Sequence, residues 1–226
     1  MSLETSTQHA HAVLRAAHDA SYRYPTDFGG FSAEVDLTDG QQRGHGRIVA
    51  SSPRAVEVCL PGVSTDLAEW VKQTLASELM HRWPRPYEAG DGRYQLVLEQ
   101  APEHPLGDCI RLLDDPFHSS YRVRDGVITL VAREIGDEAF HIITLVREPG
   151  PDGRWLPTHY VVVFHDRATG QIRRTSVHEA QYTVVDGVAL PERMREVTTS
   201  PTGLVVREMR LHNHQRLPRS QGVPAA

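Results

Sequence analysis

The sequence predicts an α+β protein in which two amphipathic helices are set into a long antiparallel meander. Three observations carry this prediction. Turn signals recur from Asp39-Gly40 to Ser200–Gly203, each between runs rich in β-branched and aromatic residues. Helical spacing of apolar residues is confined to residues 7–22 and to a segment running from Thr65 to the prolines at 84 and 86. The densest apolar run, Thr158-His159-Tyr160-Val161-Val162-Val163-Phe164-His165-Asp166, is apolar at both parities and reads as a central strand covered from both sides.

In chain order, Ala10, Val13, Leu14, Ala17 and Ser21 form the stripe of the first helix, after a Thr-Ser-Thr cluster able to cap it. His11 and His18 flank that stripe. Phe31, Ala33, Val35 and Leu37 then alternate with Ser32, Glu34, Asp36 and Thr38, the pattern of a half-buried strand, and Asp39-Gly40 supplies a tight turn. Strands follow through Ile48–Ala50 and through Val56, Val58 and Leu60. Thr65-Asp66 is placed to cap the second helix, whose Leu67, Val71, Leu75 and Leu79 recur every four residues beside Trp70. From Tyr94 onward strand follows strand. Reversals are expected at Asp125-Gly126, Gly136-Asp137, Pro149–Gly153, Arg167–Gly170, Asp186-Gly187 and Ser200–Gly203. Nothing in 226 residues demands more than one domain, so a single domain over 1–216 is expected, with a disordered tail over 217–226.

Composition narrows the classes of function. A formal net charge of −5 with scattered arginines argues against nucleic acid and anionic membrane, both of which need a clustered positive field. No apolar run reaches the roughly 18 residues of a membrane-spanning helix. The first residues lack a basic segment followed by an apolar one, and two cysteines make no disulfide framework; both features predict a cytoplasmic location. No glycine-rich phosphate loop, nucleophile elbow or zinc-protease helix is present, so an organic cofactor is not expected.

Chemistry is expected at histidines of the central strands. His159 and His165 share a parity with Val161 and Val163. If Arg167–Gly170 is a four-residue loop, His159 stands opposite His178 and Val163 opposite Arg174; a turn at Gly136-Asp137 pairs Ala132 with His141. If the longer loop after Glu148 preserves parity, His141, His159 and His178 share one face of three strands. Two readings follow. The leading one takes His159 and His178 as proton carriers with Arg133 as the anchor of a small, partly apolar metabolite, and Arg174 as a second anion holder. The alternative takes His141, His159 and His178 as ligands of one transition-metal ion. A one-residue slip in either loop would undo both, because it turns a side chain to the opposite face.

Several segments resemble the bacterial family catalogued as domain of unknown function 3386. They are Ala17-His-Asp-Ala-Ser-Tyr-Arg-Tyr with Phe28-Gly-Gly-Phe-Ser-Ala, His81-Arg82 with Pro86-Tyr87-Glu88 and Gly90, Asp115-Pro116 with Ser119-Ser120-Tyr121-Arg122-Val123-Arg124-Asp125, then Arg133, Phe140 and the Phe164–Gly170 turn. The resemblance places His81, Arg82, Tyr121 and Arg133 on family-like positions and does not require the three histidines. The element order also resembles the half-barrel of lipoprotein carriers. That likeness implies a strongly curved antiparallel sheet, a half-barrel meander covered on its concave side by two helices, and a non-catalytic ligand carrier or assembly factor as a further alternative. His81, Arg82, Tyr121 and Arg174 are the residues expected to hold the small-molecule ligand. The oligomeric state is left open.

Overall fold

The computed structural model describes residues 3–219. The elements are α1 (Leu3–Asp19), β1 (Phe28–Thr38), β2 (Arg43–Ser52), β3 (Ala55–Cys59), α2 (Thr65–Arg82), β4 (Leu96–Glu99), β5 (Asp108–Leu112), β6 (Ser120–Arg124), β7 (Val127–Ile135), β8 (Glu138–Pro149), β9 (Trp155–Asp166), β10 (Ile172–Val185), β11 (Val188–Ser200) and β12 (Gly203–Pro218). The twelve strands form one open sheet in the order β3-β2-β1-β12-β11-β10-β9-β8-β7-β6-β5-β4. The expected sequence of helix, three strands, helix and meander is present. The pairing of the last strand with the first, β12 with β1, has no local signal in the sequence.

The chain divides into two compact units, each assembled from three segments. Among the described residues, one comprises 3–22, Arg85–His178 and Thr198–Leu204; the other comprises Arg23–Pro84, Glu179–Val197 and 205–219. Where the sequence led to one domain over 1–216, the structure shows these two units. Their segments interleave along the chain, so no linker or shift of composition marks a boundary. Strand β12 continues to Pro218, past the start expected for the tail at residue 217, and residues 220–226 lie outside the described residues.

In the first unit, α1 packs on β4, β6 and β7. Its Ala10, Leu14 and Ala17 are buried with Tyr87, Leu96, Ile110, Leu112, Tyr121 and Val123, and Val131 packs against this cluster. Two alanines in the stripe let the helix approach the sheet closely, while each large apolar side chain buried contributes roughly 1.5–3 kcal/mol. His11 and His18 flank the stripe as expected, one bonded to the Tyr87 hydroxyl at 3.0 Å and the other edge-on to its ring. The helix starts at Leu3, so the Thr-Ser-Thr cluster lies within it rather than before it.

In the second unit, α2 packs on β2 and β3. Its cap is Ser64, one residue before the expected pair, whose side chain accepts from the Leu67 N–H. Leu67, Val71, Leu75 and Leu79 are buried, and the same stripe carries Glu78 and Arg82. Strand β1 buries Phe31, Ala33, Val35 and Leu37 as its alternation predicts. The Asp125-Gly126 and Asp186-Gly187 reversals both take positive φ at both residues, the geometry of a tight hairpin turn.

Candidate functional site

The candidate site lies in the first unit, on the face of β7–β10 that continues from the α1 core. Register fixes which side chains share it. Val131 pairs with Tyr121 on one side and Ile142 on the other, and Ile142 pairs with Val162. The next row is Arg133, Phe140 and Phe164. Directly paired residues point to the same side of a sheet, so the face presents an apolar floor of Phe140, Ile142, Val162 and Phe164. The two phenylalanine rings lie 5.8 Å apart. Most of this floor is half-buried, in contrast to the fully buried cluster under α1.

Cations bracket the phenylalanine row. Arg174 lies over the Phe164 ring, 3.6 Å from guanidinium carbon to centroid, and is neutralised by Glu138 at 2.9 Å. At the other end, Arg133 donates to the Tyr121 hydroxyl at 2.9 Å, and that hydroxyl donates to Asp91 at 3.0 Å. Burial, with Asp91 adding to it, pushes the Tyr121 phenol well above its ordinary range despite Arg133, so it remains a neutral donor. Burial acts to lower the Arg133 pKa, but Tyr121, Asp91 and Asp115 more than offset it and keep the guanidinium charged. Its Nε is buried without a protein hydrogen-bond partner. The hydrogen-bonding capacity of this guanidinium is therefore not used up within the protein.

The three histidines do not converge. Ala132 pairs with His141 and Leu130 with Ile143, as the Gly136-Asp137 turn predicts. His141, however, lies on the opposite face from Arg133 and Phe140, with its Nδ1 3.2 Å from His165 Nε2. His159 contacts the Thr158 hydroxyl at 3.2 Å. His178 stacks on Tyr160, 4.5 Å between centroids at 11°, instead of standing opposite His159. The Arg167–Gly170 turn is not the source of the error, since the Asp166 N–H donates to Gln171 O as expected. Beyond that turn the side-chain contacts are offset by one position from the expected register: Arg174 meets Phe164 rather than Val163, and His178 meets Tyr160 rather than His159, the offset that one extra residue on β10 between Gln171 and Arg174 gives. The metal set His141, His159 and His178 and the proton-carrying pair His159 and His178 are therefore each split between different partners.

The His141–His165 pair gives a pH prediction. Burial, and then His165, holds the His141 pKa below its ordinary value of 6.5. The unfolded chain therefore takes up the proton first as pH falls, and the stability tied to neutral His141 is present at neutral pH and lost on acidification below 6.5. His141→Gln is expected to flatten the slope of unfolding free energy against pH below 6.5, measured by urea denaturation.

Comparison with known proteins places the chain. The family described as "Protein of unknown function (DUF3386)" matches residues 5–217. The chain belongs to this family. No curated protein matches it. Among solved structures, a LolA superfamily protein from Nitrosomonas europaea aligns with 10% identity over 92% of this chain and 94% of that one, at a TM-score of 0.31. A DUF1329 family protein from Desulfovibrio piger aligns with 8% identity over 96% of this chain and 95% of that one, at a TM-score of 0.29.

Of the four residues on DUF3386-like positions, Tyr121 and Arg133 meet at the site just described. His81 and Arg82 belong to the other unit and are engaged within α2. The His81 ring nitrogen lies 2.8 Å from Ser77 O, where a ring N–H satisfies a carbonyl of the last helical turn. Arg82 donates to Glu78 at 2.7 Å and to the Tyr182 hydroxyl at 2.6 Å, with both charged side chains buried. The sequence reading missed Phe140, Ile142 and Tyr160 as site residues. The register that pairs Ala132 with His141 also pairs Arg133 with Phe140, so the Gly136-Asp137 turn carries the signal for that row.

Proposed function

We propose that this DUF3386 protein is a non-catalytic binding protein for an amphiphilic anion. The apolar body of the ligand lies along Phe140, Ile142, Val162 and Phe164, and its anionic head reaches Arg133. The observation that carries this reading is the single row in which a charged guanidinium, with one donor unspent, ends an apolar floor. Such a surface binds by apolar contact and orients by one charge-assisted hydrogen bond. Acid–base turnover is less well supported, because imidazoles are divided between faces and His178 is stacked on Tyr160.

The test uses dodecanoate and its neutral counterpart dodecanol as probes, titrated calorimetrically against the full chain. Arg133→Met is expected to weaken dodecanoate by about 10–100-fold, the worth of a hydrogen bond to a charged group, with little effect on dodecanol. Phe164→Ser is expected to weaken both. Equal affinity of wild type and Arg133→Met for dodecanoate would overturn the reading. Chemical conversion of a natural ligand captured from cells, seen by mass spectrometry and abolished in His178→Ala, would replace it with catalysis.

A further inference from the structure

A different set of metal-ligating side chains meets on the second unit. Strand β1 lies between β2 and β12, and on the face opposite Phe31, Ala33, Val35 and Leu37 it presents Glu34 and Asp36. Asp36 pairs with His45 of β2, and Glu34 with His212 of β12. His45 Nδ1 lies 2.8 Å from Asp36 Oδ1, His212 Nε2 3.2 Å from Glu34, and His212 Nδ1 3.6 Å from Asp36 Oδ2. One donor atom from each of Asp36, His45 and His212 lies within 4.8 Å of the other two.

A backbone irregularity brings His212 there. Between the pairs Ser32–Gln215 and Glu34–His212, β12 uses one more residue than β1. The surplus falls by Asn213, whose φ of 55° is the left-handed conformation that asparagine tolerates better than most residues. Its side-chain amide donates to Glu34 at 2.9 Å. The sequence pair His212-x-His214 is thereby split between faces, although a regular strand would keep both on one side. His214 turns toward Phe31, 5.9 Å between rings, and bonds Pro191 O, while His212 turns to the carboxylates.

We propose that Asp36, His45 and His212 form a binding site for a divalent transition-metal ion of the zinc, nickel or copper class, with Glu34 as a fourth donor or as the group that orients His212. Two imidazoles and a carboxylate suit these ions rather than calcium or magnesium. Bonds of about 2.0–2.2 Å require donors roughly 3–3.5 Å apart, and the observed separations need only small rotamer adjustments. The ligands come from three neighbouring strands, so the ion joins the first hairpin to the last strand. Its outward side is open to solvent, leaving room for water or a small anion. Two cations share these rows: Arg210, in the row of Asp36, bonds Glu208 at 2.9 Å, and Arg47 pairs with Glu34 in register.

The experiment is calorimetric titration of the tag-free full chain with Zn2+, paralleled by visible spectra with Co2+. The expected result is one equivalent bound, and His45→Ala, His212→Ala and Asp36→Asn each weakening it by about tenfold or more. His141→Ala is the control and is expected to bind as wild type. Zn2+ is also expected to raise the thermal midpoint of wild type and not of His45→Ala, a readout of the three-strand linkage. Asp36 and His45 are exposed and His212 is half-buried, so circular dichroism is used to check that each variant is folded. Absence of saturable binding, or binding equal in wild type and all three variants, or loss in His141→Ala instead, would overturn the proposal and leave the cluster as surface ion pairs.

Discussion

Replacing Arg82 by methionine is expected to cost about 3–5 kcal/mol of stability at pH 7, the penalty for leaving a buried charge unpaired. Arg82 and Glu78 are only 7% and 5% exposed in the stripe of α2, and the guanidinium is the cation nearest the carboxylate. Without it, Glu78 keeps Tyr182 as a single hydrogen-bond partner at 3.4 Å, and its second oxygen is already buried without one. Burial raises the Glu78 pKa even with Arg82 present. A folded-state pKa above the unfolded value gives stability that is present below the ordinary carboxylate range and lost as pH rises through the raised value. Arg82→Met should therefore recover part of its loss on acidification. The double variant Glu78→Leu, Arg82→Met removes both charges and is expected to lie within about 1–2 kcal/mol of wild type. Urea denaturation of the three proteins at pH 5 and pH 7 decides it; a single-variant loss below about 1 kcal/mol would show the pair to be solvated.

Gly30→Ala is the second large effect. Gly30 has φ of +99°, and a β-carbon there would sit 2.1 Å from Ala50 O and 2.7 Å from Ser51 Cα. These are backbone atoms of the neighbouring strand and cannot swing aside. Left-handed strain and overpacking add, so roughly 2–6 kcal/mol is expected to be lost. Gly40 is the matched control: its φ is +89° but no atom lies within 4 Å of the added carbon. Gly40→Ala should cost only about 1–2 kcal/mol of conformational strain. Hydrogen exchange at β1 amides separates the two, since the Gly30 substitution forces β1 away from β2. Equal losses in the two variants would refute the close approach. The Phe28-Gly-Gly-Phe segment thus has a mechanical reason: a β-carbon added at the preceding Gly29 would sit 2.2 Å from Pro218 O of β12.

The sequence was most informative where a signal is local. Alternation in β1, the four-residue spacing in α2 and the Asp-Gly pairs at 125–126 and 186–187 each involve neighbours within a turn or a strand, and each appears where expected. The candidate site was legible in part. Arg133 and Tyr121 stood out through the family-like segments, and the Gly136-Asp137 hairpin gave the register that seats Phe140 beside Arg133. The placement of the histidines was not legible, because no local pattern announces the one-position offset that sets His178 against Tyr160 instead of His159.

What the amino-acid sequence determined by itself was therefore which segments become helix, strand or turn, and which residues of each are apolar enough to be buried. Tertiary structure alone decided that β12 lies against β1, that His178 shares a face with Tyr160, and that the irregularity at Asn213 chooses the face of His212. The physical cause is the two-residue period of a strand. Every local preference survives a slip of one position, yet the slip carries each later side chain to the other side of the sheet, and only the fit between neighbouring strands selects where it occurs.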